Sequence, residues 1–532
     1  MKHNIFGYLF FIFIIGIMAF AIYKVNYSDV DNNESSTDDS TSSSINTQKG
    51  TELILAVSEF DTINPIITTN KNVQDIAKLI YEPLVNITED GKIENCLAED
   101  LETSDNITYI IKLREDVKWS DESDFSSEDV KYTIDRLKET EGSVYAENVE
   151  YVQEVDIVDD YTIMIILSTE VPFFEYYLNF PILSSSYYED EDFWDTEKNE
   201  EPITTGQFKI TEVNDSTIKL EKNTNWWNIE EEDSIIETIT INIYSSVAEL
   251  YNAFKLGGID LIATTNSDYT DYIGSIGYDL TEIEGRNFVF LAFNTENTIL
   301  SDSNVRKAIR AAINKDGLVS SAYDNTYTTA NFPLLTSSYL IEDSNESYYN
   351  ISEVSTYLDS AGWSLKNSIW RKTIDDVTTN LELNLVVKTG TDRVAVAEYI
   401  KSNLADQGIT INIIEASDSN YNTYLENRNY DIILCEVTMS IAPDLSTFFG
   451  DNNLANFSNS SVSEIMDYIN NISDETELQS DFQSLYDIYL EEVPYIGLAR
   501  SKIYVITDSY LSAEISSKWY DLFFNFKDWY TS

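Results

Sequence analysis

Residues 112–130 read KLREDVKWSDESDFSSEDV. The first fourteen of them crowd basic residues, one tryptophan and five carboxylates into a short span of a strongly acidic chain. The end of the stretch carries a helix start. Ser126 or Ser127 can cap the free amides, Glu128 and Asp129 complement the positive end of the helix, and Val130, Ile134 and Leu137 fall on one face. The pairs Glu115/Asp116 and Asp121/Glu122 have the composition of a glycosidase acid and nucleophile. They sit in a hairpin with no sign of a pocket, so they are read as a turn facing water.

Working outward, strand-like and helix-like segments alternate without a fixed repeat. Leu53, Leu55 and Val57 alternate as in a half-buried strand, whereas Val73, Ile76, Ala77 and Ile80 recur at helical spacing. NITYIIKL (106–113) and DYTIMIILS (160–168) are β-rich, with Asp159-Asp160 as a turn signal before the second. NVRKAIRAAIN (304–314) and VAVAEYIKSNLADQGI (394–409) are amphipathic helices. The second lies between the strands LELNLVV (381–387) and ITINIIEA (409–416), a strand–helix–strand order that predicts a parallel unit. The fold class is therefore α/β. At 532 residues the chain exceeds the roughly 250–300 at which one core stops growing, so at least two lobes are expected.

Composition excludes several functions. A formal charge of -60 repels phosphate backbones and anionic membrane surfaces, so nucleic acid is not an expected partner. The single histidine, His3, precedes the first apolar run, which removes His-based triads and imidazole metal sites. Cys96 and Cys435 form no C-x-x-C pair and are expected to be buried free thiols. No phosphate-cradling glycine loop is present. No cofactor, no metal and no catalytic residue is expected.

Residues 5–23 form an apolar run between Lys2 and Lys24, long enough to span a bilayer. Ala19-Phe20-Ala21 also resembles a signal-peptide cleavage site, so both readings of segment 1–24 stand: membrane anchor or signal. Residues 25–50, rich in Ser, Thr, Asp and Asn, form a flexible linker. The body is accordingly placed at the cell surface, outside the cytoplasmic membrane and tethered by the N-terminal helix.

In this context the opening stretch resembles the signature region of bacterial extracellular solute-binding proteins of family 5, the oligopeptide/dipeptide/nickel type. The matching pieces are Tyr81-Glu82-Pro83-Leu84, Asp90-Gly91, Leu97-Ala98-Glu99, Leu113-Arg114 with Trp119-Ser120-Asp121, and Glu128-Asp129-Val130. Further segments follow in family order: 155–167, 202–227 (PITTGQFKITEVNDSTIKLEKNTNWW), 305–319 and 357–363. The resemblance covers nearly all of residues 51–532.

It implies a two-lobed periplasmic-binding-protein-like fold (type II, cluster C) with an extra subdomain inserted in the first lobe. Lobe I would comprise residues 51–81, 200–283 and 501–532, the inserted subdomain 82–199, and lobe II 284–500. The implied function is the substrate-binding component of an ABC importer. It would hold a small polar ligand such as a short peptide in the cleft and deliver it, as a monomer, to a membrane permease. A ligand-sensing receptor of the same fold and an exported hydrolase are the competing functions.

By position, the resemblance places Thr69, Asn70, Tyr145, Arg286, Tyr421 and Arg428 at the ligand, Arg428 suiting a carboxylate. Two departures stand out. The glycine of the family's hairpin turn is here Glu122, so an altered loop is expected, with Ser123 or Asp124 taking the turn position. In LCEVTMSIAPDLSTFF (434–449) the family's Trp is absent and its amine-binding aspartate falls on Ser440 or Ile441, leaving Glu436 or Asp444 as substitutes.

Overall fold

The computed structural model describes residues 50–532 apart from 190, 231–233, 267–268, 271–272, 274–276, 343, 345, 470–473 and 517. The apolar run at 5–23 and its linker lie outside the described residues. Among those described, no helix is long and apolar enough to cross a membrane.

The alternating segment near residue 53 forms the strand Glu52–Ser58, which pairs in parallel with Thr238–Tyr244. Thr217–Lys222 and Phe208–Asn214 complete a four-stranded sheet by antiparallel pairing. A second four-stranded sheet joins Ala98–Thr103, Thr108–Leu113, Thr162–Leu167 and Val152–Asp159, and contains both β-rich runs read from the sequence. One continuous apolar core, running from Leu53 through Trp119 to Trp529, underlies both sheets.

The largest sheet is built on two long strands, Tyr278–Phe293 and Tyr495–Asp508, paired antiparallel. Ile432–Thr438, Glu382–Lys388 and Thr410–Ala416 extend it on one side and Leu261–Thr264 on the other. Glu382–Lys388 pairs in parallel with Thr410–Ala416 across the helix Thr391–Asp406, as the strand–helix–strand order predicts. Side chains alternate across this sheet. Val289, Leu291 and Phe293 enter one core, and Phe288, Phe290 and Ala292 enter another on the opposite face.

The two long strands also link these cores to the first, because Ile283 and Val505 belong to the first core. Their register breaks between Glu284↔Lys502 and Phe288↔Arg500, so residues 285–287 bulge. Gly285 permits a close approach there: a Cβ would lie 2.4 Å from Ser501 Oγ and 3.1 Å from Ser501 O, so the facing serine would have to shift.

The family motif pieces pack against one another. Glu82 is buried and accepts hydrogen bonds from the indole nitrogens of Trp226 (2.8 Å) and Trp227 (3.0 Å). The Arg114 guanidinium stacks over Trp227, 3.9 Å from the ring centre. Segments distant in sequence thus form one buried contact.

The 112–130 stretch follows the same logic. Trp119 and Phe125 are buried against each other, while Lys112, Arg114 and Lys118 form ion pairs with Asp100, Asp116 and Asp124. Asp129 does more than complement a helix dipole. It accepts from Trp119 Nε1 (3.3 Å), Ser126 N (2.9 Å), Ser185 N (2.8 Å) and Ser185 Oγ (2.8 Å), joining turn, helix Ser127–Glu139 and a distant loop. Here the turn expectation is corrected. Glu122 itself adopts φ 74°, and its N–H donates to Trp119 O at 2.9 Å. Neither Ser123 nor Asp124 has a positive φ. The i→i+3 bond and the Asp121 carboxylate, which accepts from Ser123 N (3.0 Å) and Oγ (2.6 Å), fix the turn whatever residue occupies position 122.

Candidate functional site

Arg286 occupies the bulge between the long strands. Its Nε donates to Met439 O (3.0 Å), its backbone oxygen accepts from Met439 N (3.0 Å), and its guanidinium lies over Trp519, 4.6 Å from the ring centre. No ion pair holds it among the described residues, and its two terminal nitrogens make no hydrogen bond there. Burial draws its pKa below the ordinary guanidinium value, and the nearby Glu147 opposes that shift. A desolvated fork with unfilled donors binds a carboxylate well.

The loop that follows strand Ile432–Thr438 meets the first part of the chain beside this arginine. Ile87, Tyr176 and Tyr520 are buried with Ala442, and Phe173, Tyr177, Leu335, Ile441 and Trp519 pack around them. Tyr177 packs beside this loop, and burial holds its phenol above its usual pKa, with Ser440 opposing that rise and the charges of Asp444 and Glu147 adding to it. A small cavity of about 50 Å³ lies here, lined by Ser440, Ile441, Trp519, Tyr520 and Arg500 among others. Arg500 is fully buried, donates to Phe332 O (3.3 Å) and Leu334 O (3.0 Å), and has its pKa lowered to about 10 by burial. Lys518, also buried, and Glu284 stand beside it at the strand crossing.

Of the residues expected at the ligand, Arg286 and Ser440 lie close together, because Arg286 bonds to Met439, and Asp444 follows on the same loop. Asp444 uses Oδ1 to accept from Ser446 N (2.8 Å) and Oγ (2.5 Å). Glu436, the other substitute considered for an amine anchor, is taken up by Arg393 (3.1 Å) and the Tyr327 hydroxyl (3.1 Å).

The remaining expected residues are placed elsewhere. Asn70 caps helix Lys71–Ala77, its side chain accepting from Asn72 N (3.1 Å) and donating to Ser58 O (2.6 Å). Thr69 is exposed on the loop before that helix. Tyr145 lines a separate, larger cavity in the first part of the chain. Tyr421 is buried, its hydroxyl donating to Leu434 O (2.7 Å). Arg428 ends helix Asp418–Asn427 at φ 52° and directs its guanidinium at the carbonyls of Leu425, Asn453 and Asn452. It borders a surface depression formed by residues 414–429. Neither Tyr421 nor Arg428 joins Arg286. Trp519 and Tyr177 were not read from the sequence. Their only signal was aromatic character, which core residues share.

The profile of the bacterial extracellular solute-binding proteins, family 5, matches residues 92–458, more than half of the chain. The chain belongs to this family. Among its curated relatives, the oligopeptide-binding protein AppA of Bacillus subtilis is 23% identical over 478 residues, spanning 85% of this chain and 86% of that protein. The dipeptide-binding protein of Escherichia coli K12 is 28% identical over 298 residues, 50% of this chain and 55% of that one.

Solved structures agree on the fold. The unliganded open form of the periplasmic murein tripeptide-binding protein MppA superposes with a TM-score of 0.76 at 18% identity, covering 91% of this chain and 98% of that one. B. subtilis AppA with a nonapeptide gives a TM-score of 0.53 at 21% identity, covering 91% and 99%. This family 5 protein thus has the two-lobed architecture of periplasmic binding proteins, and the strand crossing at Arg286 lies between its cores.

Proposed function

We propose that this family 5 protein captures a short peptide between its lobes and delivers it, as a monomer, to an ABC permease in the membrane. The observation that carries this reading is Arg286, a half-buried guanidinium with unfilled donors at the strand crossing, stacked on Trp519 and bonded to Met439, the residue before Ser440. A peptide's terminal carboxylate suits Arg286, and its amine suits the free oxygen of Asp444. Support for a peptide comes from relatives described as oligopeptide- and dipeptide-binding proteins.

Lobe I is proposed to comprise residues 51–81, 200–283 and 501–532, with 82–199 inserted and 284–500 as lobe II. The register break at Glu284/Phe288 and Lys502/Arg500 supports the two crossings, since a bulge is where a strand pair bends most easily. Thr69 is proposed as a lobe I rim residue, and Tyr145, in the inserted subdomain, is left out because it lines the separate cavity. Tyr421 and Arg428 are left out, because their polar groups already serve backbone carbonyls. The protein is proposed to turn over no substrate and to sit outside the cytoplasmic membrane, tethered through residues 1–50. That placement rests on the apolar run at 5–23 and the polar linker after it.

Titration calorimetry of the full-length protein with a panel of di- to nonapeptides tests the reading. At least one peptide should bind with one-to-one stoichiometry, and Arg286→Met should weaken it tenfold or more. A panel that produces no binding, or binding indifferent to Arg286, refutes it.

A further inference from the structure

A cavity of about 660 Å³ lies away from the strand crossing, within the first part of the chain. That is within the roughly 300–1,000 Å³ typical of small-molecule sites. Its walls come from the end of helix Lys71–Ala77, the Glu82–Trp226–Trp227 cluster and the C-terminal stretch 520–527. It shares only Ile87 and Tyr520 with the small cavity beside Ser440. The Tyr520 hydroxyl donates to Thr88 O at 2.6 Å at that shared edge.

Most charged groups around it already have partners. Of the others that line it, Arg114 is held by Asp116 at 2.9 and 2.8 Å, Glu82 accepts the two indoles, Lys527 is engaged elsewhere, and Glu94 is exposed to water. Lys78 and Asp521 differ. Both line the cavity, and each feels the other's charge, yet they form no ion pair with each other. Among the described residues the Lys78 ammonium makes no hydrogen bond to protein, and the Asp521 side chain accepts only from Phe523 N (3.0 Å). Unlike charges partly withdrawn from bulk water but held apart carry a desolvation cost without the full compensating attraction. A ligand between them that presents an opposite charge to each removes that imbalance.

We propose that this cavity is a second binding site, one for a small zwitterion of the free amino-acid type, with its carboxylate against Lys78 and its ammonium against Asp521. A simple anion would have to approach a chain of formal charge -60 and would leave Asp521 uncompensated, and a simple cation would leave Lys78 so. A zwitterion meets neither obstacle. The amides of Gln74, Asn86 and Gln207 add neutral donors and acceptors to the wall.

The test is calorimetry of the full-length protein with L-alanine, using acetate and methylammonium as single-charge controls. L-alanine should bind at one site, both controls at least tenfold more weakly. Lys78→Met and Asp521→Asn should each cost tenfold or more, while Arg286→Met leaves L-alanine binding unchanged and impairs only peptide binding. No L-alanine binding, equal binding of the controls, or loss in Arg286→Met with retention in Lys78→Met overturns the proposal. Should either cavity variant fail to fold, a crystal structure of the parent protein grown with L-alanine decides. Ligand density between Lys78 and Asp521 upholds the site, and water alone there overturns it.

Discussion

Glu82 makes the buried motif contact measurable through pH. Its carboxyl has its pKa pushed up to about 7 by burial, and the indole hydrogen bonds of Trp226 and Trp227 only partly offset that rise. In the unfolded chain the same group titrates near its ordinary value of 4.5. Between those pH values the folded protein retains a proton that the unfolded chain has released. Stability from this group is therefore complete below about pH 4.5 and is lost as pH climbs to about 7. The gap between 4.5 and about 7 corresponds to about 3 kcal/mol at about 1.36 kcal/mol per pH unit. Glu82→Gln keeps an oxygen for both indoles and removes the titration. Urea unfolding of parent and variant from pH 4 to pH 8 gives a difference curve that cancels the background of the other carboxylates. The variant should gain on the parent by about 3 kcal/mol across that range, with the change centred between pH 4.5 and 7. A flat difference curve, or one in which the parent gains with rising pH, refutes the burial argument.

Other substitutions test other joints. Asp129→Ala strands Trp119 Nε1, Ser126 N and Ser185 N together and should cost about 3 kcal/mol of stability in denaturant titration, since each buried orphan donor costs roughly 1–3 kcal/mol. Glu122→Gly relieves a left-handed backbone of a residue with a Cβ, and should raise stability by about 1 kcal/mol without altering ligand affinity. Arg428→Ala removes hydrogen bonds to the Asn452 and Asn453 carbonyls, and should lower stability by about 1–2 kcal/mol while peptide affinity is unchanged in calorimetry.

Much of the architecture was legible because hydrophobic period and cap chemistry are local. Leu53, Leu55 and Val57 alternate and form a strand. Ser126 with Asp129 begins a helix. The strand–helix–strand unit at 382–416 needs only neighbouring residues to be recognised. Arg286 was legible as a candidate by position, but the bulge that frees its guanidinium depends on pairing with a strand some 200 residues later. Trp519 reaches the site only through the folding of the C-terminal segment, which leaves no local pattern. Tyr421 and Arg428 mislead for the opposite reason. Their residue types suit a cleft, yet helix Asp418–Asn427 turns one into the core and the other onto the carbonyls of Leu425, Asn452 and Asn453. Glu122 shows the limit of turn rules: a hydrogen-bonded loop can force a positive φ on a residue with a side chain.

The central claim is that Arg286 holds the carboxylate of a peptide between the lobes. The most direct measurement is a thermodynamic cycle in the full-length protein: the tightest peptide of the panel and its C-terminal amide, each titrated against parent and Arg286→Met. Amidation should weaken binding to the parent by tenfold or more and have little effect on the variant, because the group it removes has already lost its partner. Equal penalties for amidation in both proteins, or none in the parent, would contradict the account.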